Sequence, residues 1–275
     1  MAGLMTDGCR PCALIWAVFL LSSVMGYRPV IIVHGILDGP RQFEILAKFI
    51  NQSHPGTNVT TLALYDYTAS LKPLWQQVDG FREAIRPIME SAEDGVHLIC
   101  FSQGIIHIQK CFVHVFTDSC YLKKIFPKLI KSRLYHICYT TWGQRISICN
   151  YWNDPHQRER YLKSSIYLAP LNGEIVHANS TAWRDSFLHI QTLVLIGGQD
   201  DGVITPWESS IFGFYDSNET VVEMENQDWY LRDAFGLKTL NSEGAVVKCV
   251  VPGVHHTSWH SNLTVFKNCI DKWLT

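Results

Sequence analysis

Three residue types, at three places in the chain, have the makings of an acyl-transfer centre. Ser102 lies within Cys100-Phe101-Ser102-Gln103-Gly104. An acidic pair, Asp200-Asp201, follows later in the chain, and a histidine pair, His255-His256, comes last. Serine is a poor nucleophile near neutral pH, so a histidine must take its proton. A carboxylate must in turn hold that imidazole in the useful tautomer. The pentapeptide approximates the G-x-S-x-G turn that exposes a nucleophile, with Cys100 in place of the first glycine. Alone, it also describes an ordinary serine at a strand end. His34-Gly35-Ile36 offers a further part. Backbone N–H groups of Ile36 and Gln103 would receive a developing oxyanion, and loss of one such donor costs about two to three powers of ten in rate. The His34 side chain itself is read as a structural turn residue.

The elements around these residues have the right character to position them. Val30-Ile31-Ile32-Val33 is a continuous β-branched run that stops at His34-Gly35, as a strand buried on both faces does. Val59 to Leu64 is a weaker strand, and Val96 to Phe101 is a third, ending at Ser102. Between them, Leu74, Val78, Phe81, Ile85, Ile88 and Met89 recur at helical spacing, with Pro87 marking a kink or an early end. Thr192 to Ile196 precedes Gly197-Gly198 and the acidic pair. Ala245 to Val251 precedes the histidine pair, and His260 to Leu274 reads as a closing helix. Strands alternating with helices predict a mostly parallel sheet flanked by helices. Ser, then Asp, then His, each after a strand, is the order of the α/β-hydrolase fold. The stretch from about 121 to 185 breaks the alternation and is rich in aromatics, including Tyr135, Tyr139, Trp142, Tyr151, Trp152, Tyr161 and Tyr167. It reads as an insertion capping the carboxyl ends of the strands, where such folds place ligands. Its aromatics would serve either as groove walls or as the core of the cap.

Composition sets the compartment. Of the 275 residues, 47% are hydrophobic and 17% charged, which favours a large folded core over disorder. The net charge of -2, with no basic run, argues against nucleic-acid binding. Arg10, the apolar run Ala13 to Leu21 and the small residues Ser22, Ser23 and Gly26 read as a signal peptide over 1–26, leaving a mature domain over 27–275. The apolar run falls short of the ~20 residues of a membrane span, and no transmembrane span is expected in the mature chain. Five sequons, at Asn51, Asn58, Asn179, Asn218 and Asn262, predict a glycoprotein of the lumen or exterior. Of nine cysteines, seven remain after Cys9 and Cys12 leave with the signal, so at least one thiol is expected to stay unpaired.

Several longer stretches carry a specific resemblance. They are Val33 to Asp38, His97 to Gly104, Ile137 to Tyr139, Cys149 to Trp152, Leu195 to Trp207, Phe212 to Tyr215 and His256 to His260. In these the chain resembles the lysosomal palmitoyl-protein thioesterases, over nearly all of the mature sequence except about Ile105 to Cys120. The resemblance implies Ser102 as nucleophile, Asp201 rather than Asp200 as acid and His256 rather than His255 as base, with His260 a packing residue. It implies hydrolysis of long-chain S-acyl thioesters, on acyl-CoA or an S-acylated peptide, through an acyl-enzyme. It also implies a lysosomal location and no metal or cofactor. Cys138 and Cys149 bracket a short loop, while Cys249 and Cys269 flank the His256 loop. Both pairings are expected, and the resemblance implies the same. In the family, Cys100 pairs with a cysteine shortly after the nucleophile, for which Cys111 and Cys120 are the candidates here.

After Gly104 the chain departs from the family. Ile105 stands where a second glycine is usual, and about twenty residues are lacking, roughly a helical turn plus a strand at typical element lengths. The expectation is a weaker enzyme than the rest of the sequence implies. Two other readings use the same residues: a carboxylic-ester lipase with the same triad, and a lipid-binding glycoprotein with impaired catalysis.

Overall fold

The computed structural model of this chain describes residues 26–104 and 133–275. Residues 1–25 of the expected signal peptide, Ile105 and the shortened segment after it, Cys111, Cys120 and the first part of the expected cap lie outside the described residues.

Strand β1 (Val30–Val33) is the centre of a three-stranded parallel sheet, ordered β2 (Val59–Thr61), β1, β3 (His97–Cys100). Its four side chains are wholly buried because both faces are covered. Alternation sends Val30 and Ile32 to one side and Ile31 and Val33 to the other. Val30 and Ile32 pack with Phe43, and with Leu46 and Ile50 of helix α1 (Glu44–Ser53). Ile31 and Val33 pack with Leu62, and with Phe81 and Ile85 of helix α2 (Leu74–Glu90). Full burial of each such side chain contributes about 1.5–3 kcal/mol. Helix α2 runs through Pro87, which is exposed and lies in the last turn, so the missing N–H does not end the helix there.

Residues 133–190 form short helical pieces instead of strands. Single turns at Tyr135–Cys138, Ser147–Asn150 and Leu168–Leu171 accompany helices α3 (Arg158–Ser164) and α4 (Ser180–Leu188). The Gln144 side chain braces them by donating to the carbonyl oxygens of Cys138 (2.7 Å) and Cys149 (2.8 Å). Tyr151, Trp152, Tyr161 and Tyr167 are buried in one apolar cluster with Leu195, Val203 and Ile204. These aromatics therefore form a core.

A second parallel pair, β4 (Leu193–Gly197) and β7 (Val246–Val250), is in register from Leu193 opposite Val246 to Gly197 opposite Val250. A small hairpin, β5 (Phe214–Tyr215) and β6 (Val221–Val222), and helix α5 (Leu237–Ser242) lie between them in sequence. The expected closing helix starts later than His260 and is irregular, ending in a 3-10 turn at Asp271–Trp273. A 3-10 segment, His256–Ser261, precedes a helical turn at Leu263–Val265 and a π-type turn at Phe266–Ile270. The segments that follow β1, β3, β4 and β7 converge: Gly35 lies against Ser102, and His256 lies between Ser102 and Asp201. Among the described residues no strand joins β3 to β4, and Phe101 and Ile196, at their ends, pack on one apolar cluster.

Candidate active site

Beyond β3 the chain turns sharply. Ser102 has φ +51°, a left-handed conformation that non-glycine residues seldom adopt. The turn sits against the end of β1. A Cβ on Gly104 would lie 2.5 Å from the Val33 carbonyl oxygen and 2.7 Å from that of His34, so only glycine permits this approach. A Cβ on Gly35 would likewise lie 2.9 Å from the Cβ of Ser102. The His34 ring is buried and fixes the β1 turn, its Nε2 3.0 Å from both the Leu64 carbonyl oxygen and Asp66 Oδ1.

Asp201 and His256, from the loops after β4 and β7, meet Ser102. Ser102 Oγ is 3.0 Å from His256 Nε2, and His256 Nδ1 is 2.9 Å from Asp201 Oδ2. With its proton on Nδ1 the ring donates to the carboxylate and accepts from the serine hydroxyl. All three side chains are buried. Asp201 also accepts from the N–H groups of Val203 (3.0 Å) and Ile204 (2.7 Å) and from the Trp259 indole (2.7 Å). Burial alone would push this carboxyl up. The hydrogen bond and charge of His256, with the Ile204 and Trp259 donors, outweigh it and hold Asp201 below its usual value of 3.8. Asp200 and His255 are exposed and brace the loop instead. Asp200 Oδ2 accepts from Gly253 N–H at 2.7 Å, and His255 Nδ1 lies 3.1 Å from the Asp200 carbonyl oxygen.

Beside Ser102 and His256 a pocket opens, walled by Ile36, Leu37, Asp38, Gln42, Val203 and Thr257. His260 closes one side, its ring 4.9 Å from that of Phe43 and 5.2 Å from that of Phe101. Burial lowers the His260 pKa, with Asp38 opposing the shift. Burial raises the Asp38 pKa, with the Gly39 N–H and the neighbouring histidines pulling it back. A second, more apolar pocket lies between the edges of β3 and β4, walled by Leu46, Ile99, Ile196, Val265 and Ile270. Among the described residues no group of three His, Cys, Asp or Glu side chains is placed to hold a metal ion.

Residues 29–256 match the Palmitoyl protein thioesterase family. The chain belongs to that family. It is 54% identical over 267 residues to the lysosomal thioesterase PPT2 of Rattus norvegicus, covering 90% of this chain and 88% of the relative. Identity to the lysosomal thioesterase PPT2 of Homo sapiens is 53%, with the same coverage. A lysosomal thioesterase PPT2 homolog of Drosophila melanogaster is 32% identical, over 92% of this chain and 94% of the relative. The rat alignment, at 267 residues, is longer than the 90% of this chain that it takes up, as happens when a chain lacks residues its relative carries.

For a palmitoyl protein thioesterase, the remaining sequence expectations are distributed as follows. Cys138 is bonded to Cys149, and Cys249 to Cys269, with Cα separations of 4.6 and 5.8 Å. The second bond joins β7 to the closing helical segment on either side of His256. The candidates for pairing with Cys100 are outside the described residues. Asn51, Asn58, Asn179 and Asn218 are exposed. Asn262 is half-buried, and its Oδ1 caps the turn at Leu263–Val265 by accepting from Thr264 N–H (2.8 Å) and Val265 N–H (3.2 Å). The sequence reading assigned no role to Trp259, Asp38 or Gln42. Only Trp259 left a signal, since a tryptophan one helical turn after the histidine must find an acceptor if buried.

Proposed function

We propose that this chain is a lysosomal serine thioesterase that hydrolyses long-chain, palmitoyl-type S-acyl thioesters. The observation that carries the reading is the hydrogen-bonded series from Ser102 through His256 to Asp201, within a palmitoyl protein thioesterase sequence. Ser102 Oγ attacks the thioester carbonyl as its proton passes to His256 Nε2. Asp201 holds the opposite Nδ1–H and stabilises the imidazolium. The Ile36 and Gln103 N–H groups bind the oxyanion. The C–S bond then breaks and the departing sulfur takes the proton from His256. A water, giving its proton to the same nitrogen, releases the fatty acid and restores Ser102.

The thiol part of the substrate is either coenzyme A or a peptide cysteine, and comparing palmitoyl-CoA with an S-palmitoyl peptide decides between them. The name "lysosomal" carried by the relatives supports a lysosomal location. We further propose residues 1–26 as a signal peptide, about 121–185 as a cap within the 27–275 domain, and glycans on the five sequon asparagines.

The test is hydrolysis of palmitoyl-CoA beside an equivalent oxygen ester, with fluorophosphonate labelling of the protein. Ser102→Ala is expected to abolish labelling and to leave only the turnover that binding and the oxyanion hole supply. Asp201→Asn should cost about four powers of ten, as loss of the orienting carboxylate does in a Ser-His-Asp triad. Asp200→Asn should stay within a few-fold of the parent. Faster turnover of the oxygen ester would make the chain a lipase. An unlabelled parent without turnover would leave only lipid binding.

A further inference from the structure

Two non-glycine residues beside the pocket have left-handed backbone, Leu37 at φ +55° and Ser102 at φ +51°. Backbone of this kind persists only where its surroundings hold it. Leu37 follows Ile36, and Gln103 follows Ser102, so the two strained positions flank the two proposed oxyanion donors. Both turns lead to Ser70. This residue lies in the short 3-10 segment Tyr67–Leu71 and is 1% exposed. Its Oγ accepts the Leu37 N–H at 2.8 Å while its hydroxyl proton goes to the Tyr67 carbonyl oxygen. Its own carbonyl oxygen accepts from the side-chain Nε2 of Gln103 at 2.8 Å, and from Gln77 Nε2 at the same distance. Gln77 in turn donates to the Lys72 carbonyl oxygen at 2.6 Å, which anchors the 3-10 segment to helix α2.

We propose that Ser70 is the positioning residue of the oxyanion hole, one side chain and one carbonyl fixing the two donor turns relative to each other. It touches no reacting atom. The Leu37 N–H is committed to Ser70 Oγ, and the Gly104 N–H to the Phe101 carbonyl oxygen at 2.8 Å, so neither serves as a donor. The tie to Leu37 aims the preceding peptide, and the tie to the Gln103 side chain holds the residue whose main chain supplies the second N–H. Donors act on the oxyanion only at hydrogen-bond range, so a small displacement of one turn weakens the transition state while leaving acyl-chain contacts intact.

This inference rests on the reading of Ile36 and Gln103 as donors, and the experiment separates the two. Ser70→Ala, which keeps the carbonyl but loses the tie to Leu37, is compared with the parent on palmitoyl-CoA. The expected result is a fall in kcat of about 10–100-fold, the scale of one impaired donor, with KM within twofold. Inhibition by a palmityl trifluoromethyl ketone, whose adduct carries an oxyanion, should weaken by the same factor. Inhibition by palmitate should hold, and the thermal midpoint should fall by only a few degrees, the scale of one buried hydrogen-bonding group. Gln103→Met, which keeps its own N–H and loses the tie to Ser70 together with a longer one to Gln77 Oε1 (3.4 Å), should show the same split and decides the matter if Ser70→Ala does not accumulate. An active parent with Ser70→Ala within twofold in kcat overturns the inference alone. So does a variant that loses kcat, palmitate affinity and thermal midpoint together, since that is a folding defect. A parent that turns over no thioester overturns the donor reading as well.

Discussion

The indole N–H of Trp259 donates to Asp201 Oδ2 at 2.7 Å, on the same carboxylate oxygen that faces His256 Nδ1. The acid of the proposed triad is thereby held by four groups, from its own loop and from the 3-10 segment that begins at His256.

Trp259→Phe keeps an aromatic ring, smaller than the indole, and removes this donor. A hydrogen bond to a charged group contributes about 1.5–3 kcal/mol. We expect kcat/KM for palmitoyl-CoA to fall at least tenfold, with Ser102 still labelled by a fluorophosphonate but more slowly. Turnover equal to that of the parent would show that the two main-chain donors suffice.

Asp201 also predicts a pH window for stability. Its folded pKa is held below the usual 3.8, so its contribution is fully present above that value and is lost as pH falls through the lower, folded value. The difference in thermal midpoint between the parent and Asp201→Asn should therefore be as large at about pH 5 as at neutrality, because both lie above the unfolded carboxylate range. It should shrink only in stronger acid. A difference that already fades between neutrality and about pH 5 would contradict the lowered pKa.

Gly104→Ala places a Cβ against two carbonyl oxygens of the β1 turn, at 2.5 and 2.7 Å. Main chain cannot yield as a side chain does, so the Ser102 turn must move away from β1. The expected outcome is a loss of at least 100-fold in Ser102 labelling rate, the scale of a reacting group displaced by about 1 Å. Secretion would be reduced as well. Parent-like labelling would mean that the turn has room it does not show.

The Cys249–Cys269 bond closes a loop with a sequence separation of 20 around His256. Under the chain-entropy model such a loop contributes about 3 kcal/mol. Replacing both cysteines with alanine should lower the denaturant midpoint accordingly, and slow turnover more than the Cys138→Ala/Cys149→Ala pair does. The latter bond lies under Gln144, away from the pocket. Equal kinetic effects of the two double variants would argue against a special role for the His256 loop.

Much of the fold was legible because strands and turns are local. The β-branched run at Val30–Val33 announced a strand covered on both faces, and its side chains are wholly buried. The periodicity from Leu74 announced helix α2. The closing helix expected over His260 to Leu274 starts later, at Leu263, and runs to Trp273 as α, π and 3-10 turns in succession, because Asn262 caps a fresh start that apolar spacing does not reveal. The aromatics of the 121–185 stretch were open to two readings, since burial depends on neighbours from distant sequence. Tyr151, Tyr161 and Tyr167 pack with Leu195 and Val203.

By itself the sequence determined the chemistry available: a serine, an acid and a histidine in hydrolase order, cysteines in two loop-closing pairs, and enough matched residues to indicate the family. What only the tertiary structure decided was geometry. The family resemblance already pointed to Asp201 and His256 within their pairs; the distances came from the fold, which sets His256 against Ser102 and Asp201 against His256 while Asp200 and His255 stay exposed. Trp259, Ser70 and Gln77 gained their partners in the same way. A hydrogen bond needs two groups within about 3 Å, and residues 58 or 33 positions apart in sequence reach that distance only when the strands between them have paired and packed.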